Sequence, residues 1–463
     1  MPKSTKSRNA DTVTFIHTAD WQLGKPFASI TDPVKRARVQ QERFEAIRRI
    51  GAVVRDRQAR FVVVAGDLFD SPTPTHATIS AALGAIAEIG VPVFAIPGNH
   101  DHAGPDSLWE QPFFKRERNR LAPDFHLLSS REPRVVALCD RGDGPYDVVL
   151  LPCPLLRRRE PDDPTAWLRD LDYDELGDRP RIVIAHGSTT AFTAAGSARH
   201  DDENGPDGPV NTIAIERLPL DEIDYIALGD WHGFMNVHPK AWYSGTPEID
   251  RFPKTDQKPG HVTCVTIGRG MPPAVATIRT GRFRWLVQQL SLETSLSEGN
   301  YGSDTPHTQG PSHFDDCLTQ ATRPQAAGEP GFDGCLARIA ISGTVSLAGR
   351  AELVRSIESW QARLLRLDIE DTVRLAPSAN EIHDLAARPD DPIISRVAAE
   401  LLRRLAAGQS AADTPGTDID VICHAISMVH ALVHPEVAAA STTTAPRDLH
   451  VATPTITPVG AQS

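Results

Sequence analysis

Short apolar runs alternate with stretches of helical spacing along the first 290 residues. TVTFIHTAD (12–20), FVVVAGD (61–67), VPVFAIPGNHD (91–101), YDVVLLPCP (146–154), RIVIAHG (181–187) and IDYIALGDWHG (223–233) are apolar and bounded by turn residues. Such runs read as buried strands of a layered α/β protein, because a strand covered on both faces shows no polar side. Between them, 34–54 and 79–89 place apolar residues at helical intervals. Nearly every run ends in Asp, His or Asn beside Gly. Polar residues at such strand ends converge in space, and open α/β sheets build their sites there.

Beyond residue 290 the pattern changes. Residues 291–335 are rich in Gly, Pro, Ser and Thr without periodicity and predict a linker or long loop. LARIAISGTVS (336–346), helical spacing over 351–365 and the run 365–369 predict a small β-α-β unit. A helix over 393–405 carries Ile394, Val397, Leu401 and Leu405 at helical spacing, suited first to core packing and second to a partner groove. A last helix is predicted over 421–433, and the tail from 438 has the composition of disordered chain. The division is therefore a flexible N-terminus (1–11), a large domain (12–290), a linker (291–335), the β-α-β unit with its following helix (336–405), and a C-terminal helix with a disordered tail (406–463).

Composition narrows the class. The 463 residues are 40% hydrophobic and 23% charged, as in soluble globular proteins. No apolar run approaches a membrane span, and the N-terminus lacks the apolar stretch of a secretory signal, so a cytoplasmic protein without membrane attachment is expected. Six scattered cysteines with no CxxC pair predict reduced thiols. The net charge is −12, but residues 291–463 hold 12 Lys and Arg against 22 Asp and Glu, so most of it falls there. Global charge thus neither supports nor excludes nucleic acid, and local basic clusters decide. Four occur, at 35–38, 48–49, 115–120 and 157–159, and each singly reads as a solvated face.

Five segments carry chemistry: Asp20-Trp21-Gln22, Gly66-Asp67-Leu68-Phe69-Asp70, Gly98-Asn99-His100-Asp101, Ala185-His186-Gly187 and Gly229-Asp230-Trp231-His232. Any one alone is an ordinary turn or a hydrogen-bonded structural histidine. All five in order make sense together. Two divalent cations about 3.5–4 Å apart clamp a phosphodiester and neutralise its transition state. They need a shared carboxylate, for which Asp67 is the natural bridge, with oxygen and imidazole donors completing each shell. His17 lies by strand alternation on the other face and reads as structural.

In this order the segments resemble the calcineurin-like metallophosphoesterase superfamily. HTADWQLGKPF, VVVAGDLFD, IPGNHD and WYSGTPEIDRF are similar to its SbcD-type DNA repair nucleases, over about residues 12–290. The resemblance implies a layered α/β fold, a β-sandwich flanked by helices, with a small α/β capping domain in 336–405. It implies one metal on Asp20, Gln22, Asp67 and His232, and another on Asp67, Asn99, His186 and Asp230. It makes His100 the phosphate-facing catalytic residue, with Asp101 orienting it, and Ser244, Gly245 and Thr246 a substrate-side loop. Two positions depart, since the family usually has histidine at Gln22 and at Asp230. Oxygen for nitrogen makes the site harder, favouring Mn²⁺ or Mg²⁺ over Zn²⁺.

The resemblance further implies a nuclease acting on double-stranded DNA ends and on single strands or hairpins. It implies an SMC-like (SbcC-type) ATPase partner and a homodimer. Two alternatives compete: a phosphodiesterase for small phosphodiesters, and a catalytically weakened scaffold subunit.

Overall fold

Successive residues of the apolar runs face opposite ways, and both faces are used. In β2 (Val62–Ala65), Val62 and Val64 join one buried cluster while Phe61, Val63 and Ala65 join another. Strand β10 (Tyr225–Gly229) does the same: Tyr225 and Ala227 meet the second cluster, Ile226 and Leu228 a third. Period-two alternation with both faces apolar is what a sheet needs to lie between two layers.

The computed structural model describes residues 12–138, 146–189, 210–252, 259–293, 312–325, 329–375, 379–388, 391–410 and 417–433. The expectations for 1–11 and for the tail from 438 fall outside these residues. The chain divides into two compact units, Met1–Val287 with Pro324–Leu336, and Gln288–Arg323 with Ala337–Ser463.

The first unit holds two six-stranded mixed sheets. One includes β1 (Val13–Thr18), β2, β3 (Val93–Ile96) and β4 (Phe125–Leu127), mutually parallel. Strand β13 (His261–Ile267) runs antiparallel to β1. The other is built on β6 (Tyr146–Cys153), β7 (Arg181–His186), β10 and β12 (Ala241–Tyr243), again parallel. Phe15, Val63, Ile96, Val148, Ile184 and Tyr225 fill the space between the sheets. Helices α1 (Pro33–Arg57), α2 (His76–Ala87) and α3 (Pro112–Leu121) cover the outer face of the first sheet through Ile47, Ile50, Ile79, Leu83 and Phe114. The fold is the layered α/β sandwich expected, and its parallel strands bring their C-terminal ends to one place.

The second unit carries a four-stranded sheet that includes Cys335–Val345 and Arg366–Asp371, with helix Leu347–Arg363 between them in sequence. Part of the stretch read as a linker is helical: Ser312–Thr322 buries Phe314, Leu318 and Thr322, one face at intervals of four. Two large apolar residues in eleven were too few to show in the pattern. Helix Pro392–Ser410 packs with Thr417–Val433 around Leu385, Ala398 and Ile426, with Leu401 against them. Of the four residues expected on one face, Leu401 packs in this cluster and Val397 is 44% exposed. Among the described residues no helix is long and apolar enough to cross a membrane.

Candidate metal centre

Each candidate ligand sits just past a parallel strand, on backbone bent to reach the same point. Asp20 follows β1, Asp67 follows β2, Asn99 follows β3, His186 ends β7, and Asp230 follows β10. Positive φ is uncommon outside glycine. Yet Asp20 (54°), Gln22 (41°), Asp67 (54°) and Asp230 (102°) all adopt it. Strain gathered on candidate ligands marks a site that surrounding structure holds in place. Glycine permits the close approach. A Cβ on Gly98 would lie 2.2 Å from Asp67 Oδ1, and one on Gly66, itself at φ +90°, would lie 2.3 Å from His186 Nδ1.

Asp20, Asp67 and His186 each offer a ligand atom, and the three atoms lie within 4.8 Å of one another. All three side chains are buried. His186 Nδ1 donates to the Ala65 carbonyl at 2.8 Å, which leaves Nε2 with its lone pair. That lone pair faces oxygen: Asn99 Oδ1 at 3.0 Å, Asp67 Oδ1 at 3.6 Å and Asp230 Oδ1 at 3.9 Å. A neutral imidazole nitrogen ringed by acceptors wants a proton or a metal cation between them. Burial opposes charge on His186, but the carboxylates of Asp67, Asp20 and Asp230 outweigh it and raise its pKa to about 9. Burial pushes the Asp20 carboxyl well above its usual range, His186 counters, and Asp67 and Asp230 add to the rise. Asp230 is raised by burial too, against the pull of His186. Carboxylates held this way accept a divalent cation, which relieves both burial and mutual repulsion. The donor set fits a metal.

Gln22 and His232 stand next to it and are arranged differently. Gln22 Nε2 lies 3.3 Å from His232 Nε2. Gln22 Oε1 accepts from Lys25 Nζ at 2.7 Å, and Lys25 also donates to Asp250 Oδ2 at 2.8 Å. His232 Nδ1 donates to Asp250 Oδ1 at 3.0 Å. Burial would raise the Asp250 carboxyl, but His232, Lys25 and Arg251 hold it well below the usual range. A cation on Gln22 and His232 requires the Gln22 amide to turn over and release Lys25.

His100 is half-buried at the same edge; its backbone N–H donates to Asp67 Oδ1 at 3.0 Å. Its Nδ1 donates to the Asp70 carbonyl at 2.8 Å, so that carbonyl orients the ring. Asp101, the residue expected to orient His100, is fully buried. Its carboxylate accepts from the amides of Gly98 (2.7 Å), Leu68 (2.7 Å) and Phe69 (3.1 Å), clamping two ligand loops together. Burial, then the Asp67 charge, raises its pKa to about 7. Ser244 and Thr246, expected with Gly245 to form a substrate-side loop, are both 0% exposed. Their hydroxyls donate to the backbone carbonyls of Gly245 and Glu248, which lets two polar residues be buried at a turn. Gly245 takes φ +75° there, packed under His232.

Four supporting residues were not among the expected site residues. Lys25 and Asp250 set Gln22 and His232. Ser188 Oγ donates to Asp230 Oδ2 at 2.9 Å. Buried Arg43 on α1 donates from Nε to the Trp21 carbonyl at 2.9 Å, fixing the turn that carries Asp20. His17 joins the sheets, with Nε2 donating to the Leu228 carbonyl (3.2 Å) and Nδ1 accepting from the Tyr225 hydroxyl (3.0 Å).

Comparison with known proteins agrees with this geometry. Residues 13–234 match the calcineurin-like phosphoesterase family. The chain is 27% identical over 282 residues to the SbcD component of the SbcCD nuclease of Bacillus subtilis, covering 57% of this chain and 67% of that one. It is 27% identical over 231 residues to the uncharacterized metallophosphoesterase YhaO of the same organism, covering 42% and 56%. It is 24% identical over 309 residues to the DNA double-strand break repair protein Mre11 of Methanosarcina acetivorans, covering 64% and 44%. The matches to YhaO and Mre11 thus span about half of those relatives' lengths. Acid, amide and imidazole donors thus meet at the ends of parallel strands within residues 13–234, the part of the chain that matches the calcineurin-like phosphoesterases, a family that binds divalent metals.

Proposed function

We propose that the chain is a metal-dependent phosphodiesterase that cuts DNA. The observation that carries it is His186 Nε2 set among the oxygens of Asn99, Asp67 and Asp230 in a buried acidic site, with the His100 ring at its edge. Asp67, Asn99, His186 and Asp230 would hold one divalent cation. Asp20, Gln22 and His232, sharing Asp67, would hold a second once Lys25 lets go. Bound there, the metals supply charge neutralisation for a phosphodiester and lower the pKa of a water molecule. The oxygen-rich set favours Mn²⁺ or Mg²⁺.

The protein's own residues do the rest. With Nδ1 committed to the Asp70 carbonyl, His100 presents Nε2 outward, as a donor when protonated. That nitrogen stabilises a phosphoryl oxygen or protonates the leaving oxygen. Asp101 holds the loops of Asp67 and His100 in register, so the phosphate meets metal ligands and imidazole in one geometry. DNA as substrate draws support from the names of two relatives, a nuclease component and a DNA break repair protein. An SMC-like ATPase partner and a homodimer follow from the same likeness as part of this proposal.

The test is incubation with Mn²⁺, labelled linear DNA and, separately, bis-p-nitrophenyl phosphate, with Asp67→Ala as control. DNA cleavage lost in the control supports the proposal. Turnover of the ester alone makes the enzyme a small-molecule phosphodiesterase. The Lys25–Gln22 contact favours a second reading, a weakened scaffold protein, and turnover of neither substrate selects it.

A further inference from the structure

Three of the four basic clusters have at least one residue tied to an acid. Arg38 pairs with Asp333. Arg48 pairs with Glu45 and Glu88, and Arg49 with Glu42 and Glu248. Lys115 pairs with Glu110, and Arg120 with Glu117. Arg157 and Arg158 differ: both are exposed, and among the described residues neither guanidinium makes an ion pair.

Their backbone, by contrast, is held from two sides by the loops that carry the candidate site. On one side, Leu155 N donates to the Pro97 carbonyl at 3.3 Å, and Ala103 N donates to the Leu155 carbonyl at 3.0 Å. These bonds bracket Asn99 and His100. On the other side stands Asn211, 4% exposed and at φ 53°. Its Nδ2 donates to the Arg158 carbonyl at 3.1 Å and its Oδ1 accepts from Glu160 N at 2.7 Å. Its carbonyl accepts from Ser188 N at 3.0 Å, two residues past His186. The charge of Arg158 is felt at His102, two residues past His100, where burial and then Arg158 lower the pKa. A buried asparagine in a disfavoured conformation is a costly way to anchor a surface loop. It is intelligible when the loop must hold its side chains at a fixed distance from the site.

We infer that Arg157 and Arg158 bind phosphates of a polynucleotide strand flanking the one at the metal centre, and so select polymeric over small phosphodiesters. The inference rests on the DNA reading above and names how that site distinguishes its substrate. Guanidinium suits phosphate because its planar fork gives paired charge-assisted hydrogen bonds. Phosphate contacts of this kind position a strand without reading its sequence.

The experiment compares wild type with Arg157→Ala/Arg158→Ala and with Arg157→Lys/Arg158→Lys. DNA binding is followed by fluorescence anisotropy with Ca²⁺ at several salt concentrations, and cleavage with Mn²⁺. The alanine pair should weaken DNA binding roughly 10- to 100-fold and make the plot of log K against log salt shallower by about 1–2, with lysine restoring part of both. Hydrolysis of bis-p-nitrophenyl phosphate, which has no flanking phosphate, should stay within about twofold. Unchanged DNA affinity and salt slope in the alanine pair would overturn the inference while leaving the DNA reading intact. An equal loss on DNA and on the ester overturns it too, since the loop would then merely support the site. Wild type that neither binds nor cuts DNA removes the DNA reading itself, and this inference with it.

Discussion

His17 offers a quantitative check on how the site is held. It is fully buried between β1 and β10, the strands that deliver Asp20 and Asp230. Burial lowers its pKa from 6.5 to about 3, with the Leu228 carbonyl opposing. A ring that resists protonation when folded binds fewer protons than the unfolded chain does. Its contribution is therefore complete above pH 6.5 and declines as pH falls, until the native ring itself protonates near pH 3. At about 1.4 kcal/mol per pH unit, the full loss comes to roughly 5 kcal/mol, of which about half has gone by pH 4.5. Urea unfolding with a chelator present, at pH 7 and 4.5, should show that decline in wild type. His17→Gln should start less stable, because it gives up well-placed hydrogen bonds, but should decline less, by roughly 2–3 kcal/mol. Other groups titrate equally in both proteins and cancel. Parallel profiles for the two proteins would mean that the ring is not held neutral, and the account of the sheet junction would be wrong.

Other changes probe the centre directly. Gly98→Ala places a methyl 2.2 Å from Asp67 Oδ1 and 2.6 Å from Asp67 N, so it should lower the melting temperature and weaken Mn²⁺ binding together; calorimetry that shows neither loss would refute the close approach. Lys25→Met should free Gln22 Oε1 and strengthen the weaker of two Mn²⁺ binding events by isothermal titration, and an unchanged isotherm would show that Lys25 does not restrain that position. Chelation should destabilise the first unit, and Mn²⁺ at about 100 times its Kd should restore about 2.7 kcal/mol, or roughly 5–10 °C; a melting curve indifferent to Mn²⁺ would speak against a buried metal site.

Much of the centre was legible because ligand types stand at the ends of apolar runs, and parallel strands carry those ends to one place. That rule pointed to the segments of Asp20, Asp67, Asn99, His186 and Asp230, and the resemblance named the ligands within them. What the sequence hid follows from its linear order. Asp101 adjoins His100 in the chain, but a tight turn sends the two side chains apart, and Asp101 reaches amides 32 and 33 residues away. Lys25 and Asp250 meet across a separation of 225 residues, which no local pattern records. Ser244 and Thr246 looked exposed because they are polar, yet hydroxyls bonded to backbone are readily buried. Helix Ser312–Thr322 escaped because its buried face uses only two apolar residues and a threonine.

The hidden residues also divide the centre into halves with unlike electrostatic needs. Around Asp250 the protein brings its own cations, Lys25 and Arg251, and the carboxyl is held ionised. Around Asp67 it does not: among the described residues, Asp20, Asp67 and Asp230 pair with no Lys or Arg, and His186 is the ion-pair partner of both Asp67 and Asp230. Burying carboxylates that are not neutralised is costly, and the raised pKa values of Asp20 and Asp230 express that cost. An incoming divalent cation gains most where charge is least compensated. It follows that the position formed by Asp67, Asn99, His186 and Asp230 should fill first and most tightly. The Gln22–His232 position, where a metal must displace Lys25 and face Arg251, should fill second and release its ion more readily.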